Sequence, residues 1–155
     1  MDKQFHIKQF INPNENGLMQ RNFKRQISSL SQIFSFVSEI LTMIEVDESI
    51  SFSINFAIEE LFTNMVKYNG GSNNDITIEI NKEGKKLMVN LIDYDSNEFD
   101  VSKTQEVDVT QRLEERKVGG LGLHLVKKIV DNLEYQYYNG QSKITITINL
   151  EQNNV

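Results

Sequence analysis

The chain has 155 residues, 25% of them charged and 39% hydrophobic, no cysteine, and a formal net charge of -6 at pH 7. That length suits one domain, residues 1–155, able to bury roughly 70% of its unfolded surface; the missing cysteines exclude disulfides, thiolate-bound zinc and thiol catalysis. The acidic balance argues against a nucleic-acid binder with a basic face. With neither a signal-peptide pattern nor an apolar run of about 18 residues, no membrane span is expected and the chain reads as cytoplasmic.

Residues 4–11 read as a short strand, with Phe5 and Ile7 alternating and Phe10 and Ile11 following. Asn12-Pro13-Asn14 breaks it, and residues 15–22 are a loop by composition. From about Ser28, with Ser28 or Ser29 as cap, Leu30, Ile33, Phe34, Val37, Ile40, Leu41 and Ile44 give a helix with one broad apolar face. After Val46-Asp47-Glu48 a second amphipathic helix spans residues 51–69, its buried stripe marked by Ile54, Ile58, Leu61 and Met65. On a neighbouring face Glu60, Asn64 and Lys67 fall at i, i+4 and i+7. A carboxylate, an amide and an ammonium there could serve as base, metal ligand and phosphate contact, or simply form a polar helix edge.

Residues 76–80 alternate as a half-buried strand, residues 81–84 form a hairpin turn, and residues 86–94 are the antiparallel partner. Leu87, Val89, Leu91 and Asp93 share one face of that partner, so Asp93 closes a core-facing row. It is either a carboxylate that needs a buried donor or a strand-end turn former. Residues 95–118 are a long polar segment that reads as a lid. Gly119-Gly120-Leu121-Gly122 then opens a helix over residues 123–133, with Leu125, Val126, Ile129, Val130 and Leu133 expected inside. A final hairpin pairs residues 134–138 with 144–150 across Asn139-Gly140. His6 and His124 stand far apart, in no metal-ligand spacing. The element order predicts an α+β fold: a two-layer sandwich whose mixed, mainly antiparallel sheet carries the helices on one face.

The glycine run is a phosphate-cradle or lid-hinge pattern. No strand precedes it and no Gly-Lys-Ser/Thr follows, so neither the dinucleotide fingerprint nor the P-loop applies. In combination, Glu60-x3-Asn64 on a helix, Asp93 at a strand end, and a lid leading into the glycine helix resemble the three nucleotide-binding boxes of the GHKL ATPase/kinase superfamily. EELFTNMVKYN and GGLGLHLVKKIVDNLEY are most similar to the small anti-sigma-factor serine/threonine-protein kinases of bacteria, with a histidine-kinase-like ATPase domain.

That resemblance implies binding of ATP with Mg²⁺. Asn64 would be the metal ligand, Glu60 the general base, and Lys67 a phosphate contact. Asp93 would accept a hydrogen bond from the adenine amino group. Gly119, Gly120 and Gly122 would form the hinge and phosphate-contacting turn, with Arg116 as a lid arginine. It further implies a partner with a phosphorylatable serine (an anti-anti-sigma antagonist), a sigma factor, and a homodimer through the exposed sheet face. The chain departs from the family's Asp-x-Gly: it has Asp93-Tyr94-Asp95, and Tyr68 stands where histidine is frequent. Asp95 motivates the alternative of a non-catalytic, partner-sequestering module with a degenerate nucleotide site.

Overall fold

A computed structural model describes residues 18–68, 73–94 and 120–150. Strand β1 (Met19–Phe23) leads through a 3-10 turn at Ile27–Ser29 into helix α1 (Leu30–Met43) and helix α2 (Glu48–Tyr68). Strands β2 (Ile76–Glu83) and β3 (Lys86–Asp93) follow, then helix α3 (Gly120–Ile129) and strands β4 (Asn132–Tyr138) and β5 (Gln141–Asn149). The predicted strand at residues 4–11, the lid at 95–118 with Asp95 and Arg116, and Gly119 lie outside the described residues.

The five strands form one sheet in the order β1-β2-β3-β5-β4. Every pairing is antiparallel, so the two-layer α+β architecture is as predicted while the described strands carry no parallel pair. Strand periodicity puts Ile76, Ile78 and Ile80 on the same face as Leu87, Val89 and Leu91, and as Ile144, Ile146 and Ile148. These side chains meet Ile33, Val37 and Ile40 of α1, Ile54, Ile58 and Leu61 of α2, and Leu123 and Val126 of α3 in one core. The opposite face is polar and tied across strands. Thr145 Oγ1 donates to Asn90 Oδ1 at 2.7 Å, and Thr77 Oγ1 to Asn22 Oδ1 at 2.6 Å. No described helix is long and apolar enough to cross a membrane.

Local chemistry explains the boundaries. Asp47 Oδ1 accepts the Ile50 N–H at 2.9 Å and caps α2. Ser29 precedes α1 but makes no capping bond; its hydroxyl donates to the Lys24 carbonyl at 2.7 Å. The first hairpin turns at Gly84-Lys85, later than predicted, with Gly84 at φ +58 and Glu83 facing Lys86. The second turns at Asn139-Gly140, where φ is +50 and +79, the backbone that this dipeptide favours.

Three expectations are corrected. Residues 19–22 belong to a strand and not to a loop: polar Gln20, Arg21 and Asn22 are held extended by pairing of Met19 with Ile80 and Phe23 with Ile76. Phe36, unmarked in the sequence, is buried edge-to-face on Phe23, with ring centroids 5.6 Å apart. The last helix stops at Ile129, because the Asp131 N–H donates to the Thr147 carbonyl at 3.0 Å and draws the chain into the sheet. Leu133 therefore lies in β4 opposite Ile146, and Leu125 and Ile129 face outward at 40% and 37% exposure.

Ile58 has no exposure and packs at the centre of the core. Ile58→Ala should cost about 2–5 kcal/mol, measured as a lower urea midpoint at an unchanged m-value.

Candidate functional site

Helix α2 carries three of the candidate residues in graded environments. Glu60 is half-buried, Asn64 is buried at 4% exposure, and Lys67 reaches solvent. Burial pushes the Glu60 carboxyl above its ordinary value of 4.5; the neighbouring Glu59 charge adds to the rise and Lys67 opposes it. The arrangement makes Glu60 a stronger proton acceptor than a solvated glutamate.

The Asn64 amide nitrogen is buried without an acceptor among the described residues. A buried polar atom without a partner is uncommon in a folded protein. The amide oxygen and nitrogen exchange by a half-turn of the side chain, so this position can present a hard oxygen to a cation. No cluster of three or more His, Cys, Asp or Glu suited to a metal occurs among the described residues. A single amide oxygen of this kind is compatible with Mg²⁺, which binds through one or two protein oxygens together with phosphates and water.

Asp93 ends β3 in the core-facing row, as predicted, and is 2% exposed. The donor that such a carboxylate requires is Arg25, in the connection between β1 and α1. Arg25 Nη1 donates to Asp93 Oδ2 at 3.0 Å and Nη2 to Oδ1 at 2.5 Å, each side chain being 3% exposed. The same guanidinium donates through Nε to the Asn74 carbonyl at 3.2 Å and through Nη1 to the Met65 carbonyl at 3.4 Å. It thus joins the end of β3 to α2, one residue beyond Asn64. Sequence reading missed Arg25: it called for a donor to Asp93, but the partner lies 68 residues away in a polar stretch.

Gly120 begins α3 and Gly122 lies in its first turn. A Cβ at Gly122 would fall on the Glu60 carboxylate. A side chain there would displace the Glu60 carboxylate, so Gly122 lies against the candidate base. The structure thus gathers Glu60, Asn64, Lys67 and Gly122 along α2 and the start of α3. Asp93 joins them through Arg25.

A model of the histidine kinase-like ATPase domain matches residues 23–148. The serine-protein kinase RsbW of Listeria monocytogenes serovar 1/2a is 33% identical over 97 residues, covering 59% of this chain and 61% of the relative. RsbW of Listeria innocua serovar 6a is 32% identical over the same shares. The match thus spans about three-fifths of these relatives' length. Among solved structures, the RsbU and RsbW domains of a Mycobacterium tuberculosis protein superpose with a TM-score of 0.63 at 17% identity, over 86% of this chain and 32% of that one. The SiaB–SiaC complex of Pseudomonas aeruginosa gives 0.63 at 15% identity, over 94% of both chains. At these identities the likeness to solved structures is one of fold.

Removing one member of the buried Arg25–Asp93 pair strands the other. Arg25→Met should lower stability by about 3–5 kcal/mol, and adding Asp93→Leu should restore much of it. Thermal or urea melts of the single and double variants check this.

Proposed function

The chain belongs to the histidine kinase-like ATPase family, and on that premise we propose that it is an ATP-dependent serine/threonine-protein kinase and anti-sigma regulatory factor. Its substrate on this reading is a serine hydroxyl of an anti-anti-sigma partner, and its second ligand is a sigma factor. The observation that carries the proposal is a base with a raised pKa, Glu60, one helical turn from the orphaned Asn64 amide and pressed against the glycine start of α3. The relatives named as serine-protein kinases support the acceptor class.

In this mechanism Glu60 accepts the proton of the serine hydroxyl as its oxygen bonds to the γ-phosphorus and the bond to the β,γ-bridging oxygen breaks. Asn64 would hold Mg²⁺, which when bound offsets charge on the transferring phosphoryl group. Lys67 lies where its ammonium can approach the phosphates, and Gly119, Gly120 and Gly122 let the backbone come close to them. Asp93 accepts from the adenine amino group, and Arg116 is the lid arginine that the resemblance implies.

One observation favours the second reading, a partner-sequestering module without catalysis: Asp93 is already engaged by Arg25 on both oxygens. Titration calorimetry separates the two. Micromolar ATP binding that requires Mg²⁺ and is lost in Asn64→Ala, with Glu60→Gln binding ATP but transferring no phosphate, is the expected outcome. Absence of heat from a folded wild type would leave the binding module.

The pH profile gives an independent check. Glu60 acts unprotonated, so transfer should rise with pH through its folded pKa, placing the acid limb above 4.5. Lys67→Met removes the charge that holds this pKa down and should move the limb to higher pH; Glu59→Gln should move it lower. The linked stability has the opposite sense. Because the folded pKa is raised, the contribution of Glu60 is fully present below its unfolded value and lost as pH rises through the folded one.

A further inference from the structure

Helices α2 and α3 run antiparallel on the core side of the sheet. The last turns of α2 meet the end of β3 through Arg25, which donates to both the Met65 carbonyl and Asp93. Helix α3 leaves at the other end, where the Asp131 N–H reaches Thr147, the partner of Met88 near the start of β3. Gly122 against Glu60 sets the level of one helix on the other. Phe56 and Phe52 come one and two turns before Glu60, and Leu125 and Ile129 one and two turns after Gly122. At a rise of about 1.5 Å per residue, Leu125 is level with Phe56 and Ile129 with Phe52 to within about 1.5 Å.

These four side chains form an apolar stripe along the outer seam of the two helices. Phe52 is 70% exposed and stacks on Phe56 with ring centroids 6.3 Å apart, and Leu125 and Ile129 are exposed as well. Exposed apolar residues scattered singly are ordinary, whereas a contiguous row on two adjacent helices marks an interaction surface. By contrast, Thr77, Asn90 and Thr145 at the middle of the outer sheet face are already buried and bonded across strands.

The stripe is edged by opposite charges. Exposed Glu48 lies one turn before Phe52 and exposed Glu59 one turn after Phe56, on the flank of α2 turned from α3. Exposed Lys128 lies one turn after Leu125, on the flank of α3 turned from α2. None of the three is in an ion pair among the described residues.

We propose that this seam is a docking surface for a second copy of the chain. A two-fold axis along the seam lays α2 of one copy over α3 of the other, antiparallel. Phe56 and Phe52 then meet Leu125 and Ile129 of the second copy, and Glu48 and Glu59 flank its Lys128. An isologous interface has to complement itself, and the two charged edges satisfy that condition. An axis across the seam would instead set α2 on α2 and glutamate on glutamate. The contact is independent of the nucleotide-binding reading and differs from a dimer through the sheet face.

Sedimentation velocity over a concentration series tests it, with circular dichroism to verify that each variant is folded. The wild type should show a concentration-dependent equilibrium of monomer and dimer. Phe52→Ser, at an exposed position, should weaken it by about tenfold or more, the effect of one phenylalanine left out of the contact. Lys128→Glu and the double variant Glu48→Lys/Glu59→Lys should each be more monomeric than the wild type. Mixed together, these two chains should form a dimer of one copy of each, because only the mixed pair restores opposite charges at both contacts. A wild type that stays monomeric throughout the series would overturn the proposal and leave the stripe to another partner. A dimer that persists unchanged in Phe52→Ser or in either charge-reversed chain would also overturn it, placing the contact elsewhere, the sheet face included. Failure of the two folded charge-reversed chains to recombine would overturn the two-fold arrangement.

Discussion

The buried pair between Arg25 and Asp93 is the constraint to which most of the architecture answers. A carboxylate in the core-facing row of β3 has to meet a donor, and a guanidinium at 3% exposure has to meet acceptors on every side it turns inward. One arginine meets both demands only if the end of β3, the last turns of α2, and Asn74 just before β2 converge on the connection between β1 and α1. Such a pair is not assured of net stabilisation, because desolvation offsets much of its attraction. Its strength lies in geometry. Any packing that misplaces one of these segments by an ångström or two leaves a buried charge without its partner.

Glu60 and Gly122 form the second constraint, in which opposing effects can be ranked. The N-terminal turn of a helix carries partial positive charge and favours an anion beside it, by about 0.3–1 kcal/mol. Burial works against the ionised carboxyl, as does Glu59. The Lys67 charge favours it, and the net shift of Glu60 is upward, so burial prevails over Lys67. The absence of a side chain at Gly122 leaves room for the carboxylate in this position; a Cβ there would push it aside. Glycine at this position therefore sets where the Glu60 carboxylate can lie.

Local pattern and long-range constraint divide what the sequence could reveal. The α2 stripe, the β2–β3 hairpin and the Asn139-Gly140 turn were legible because periodicity and turn chemistry act within a few residues. Strand β1 was not, since Gln20, Arg21 and Asn22 have no strand preference of their own and are extended by pairing with β2. The end of α3 was misread for a similar reason. Leu125, Ile129 and Leu133 continue a helical period, yet sheet bonds at Asp131 stop the helix and leave the first two outside. At the candidate site, Glu60, Asn64, Lys67, Asp93, Gly120 and Gly122 were all marked by residue type and position. Arg25 was inferred only as an unnamed donor, because nothing within one segment says which of the basic residues will return across the sheet.

The two ends of the proposed site are mechanically joined. Asn64 and Met65 are consecutive on α2; the Asn64 amide nitrogen is buried with no acceptor among the described residues, and the Met65 carbonyl accepts from Arg25. A shift of the guanidinium that loosened its hold on Asp93 would also release that carbonyl, in the last turn of α2 where no further intrahelical donor is assured. A rearrangement at the base end would therefore be felt one residue away at the proposed metal ligand, and one helical turn back at Glu60. One arginine thus holds the end of β3 and the last turns of α2 together.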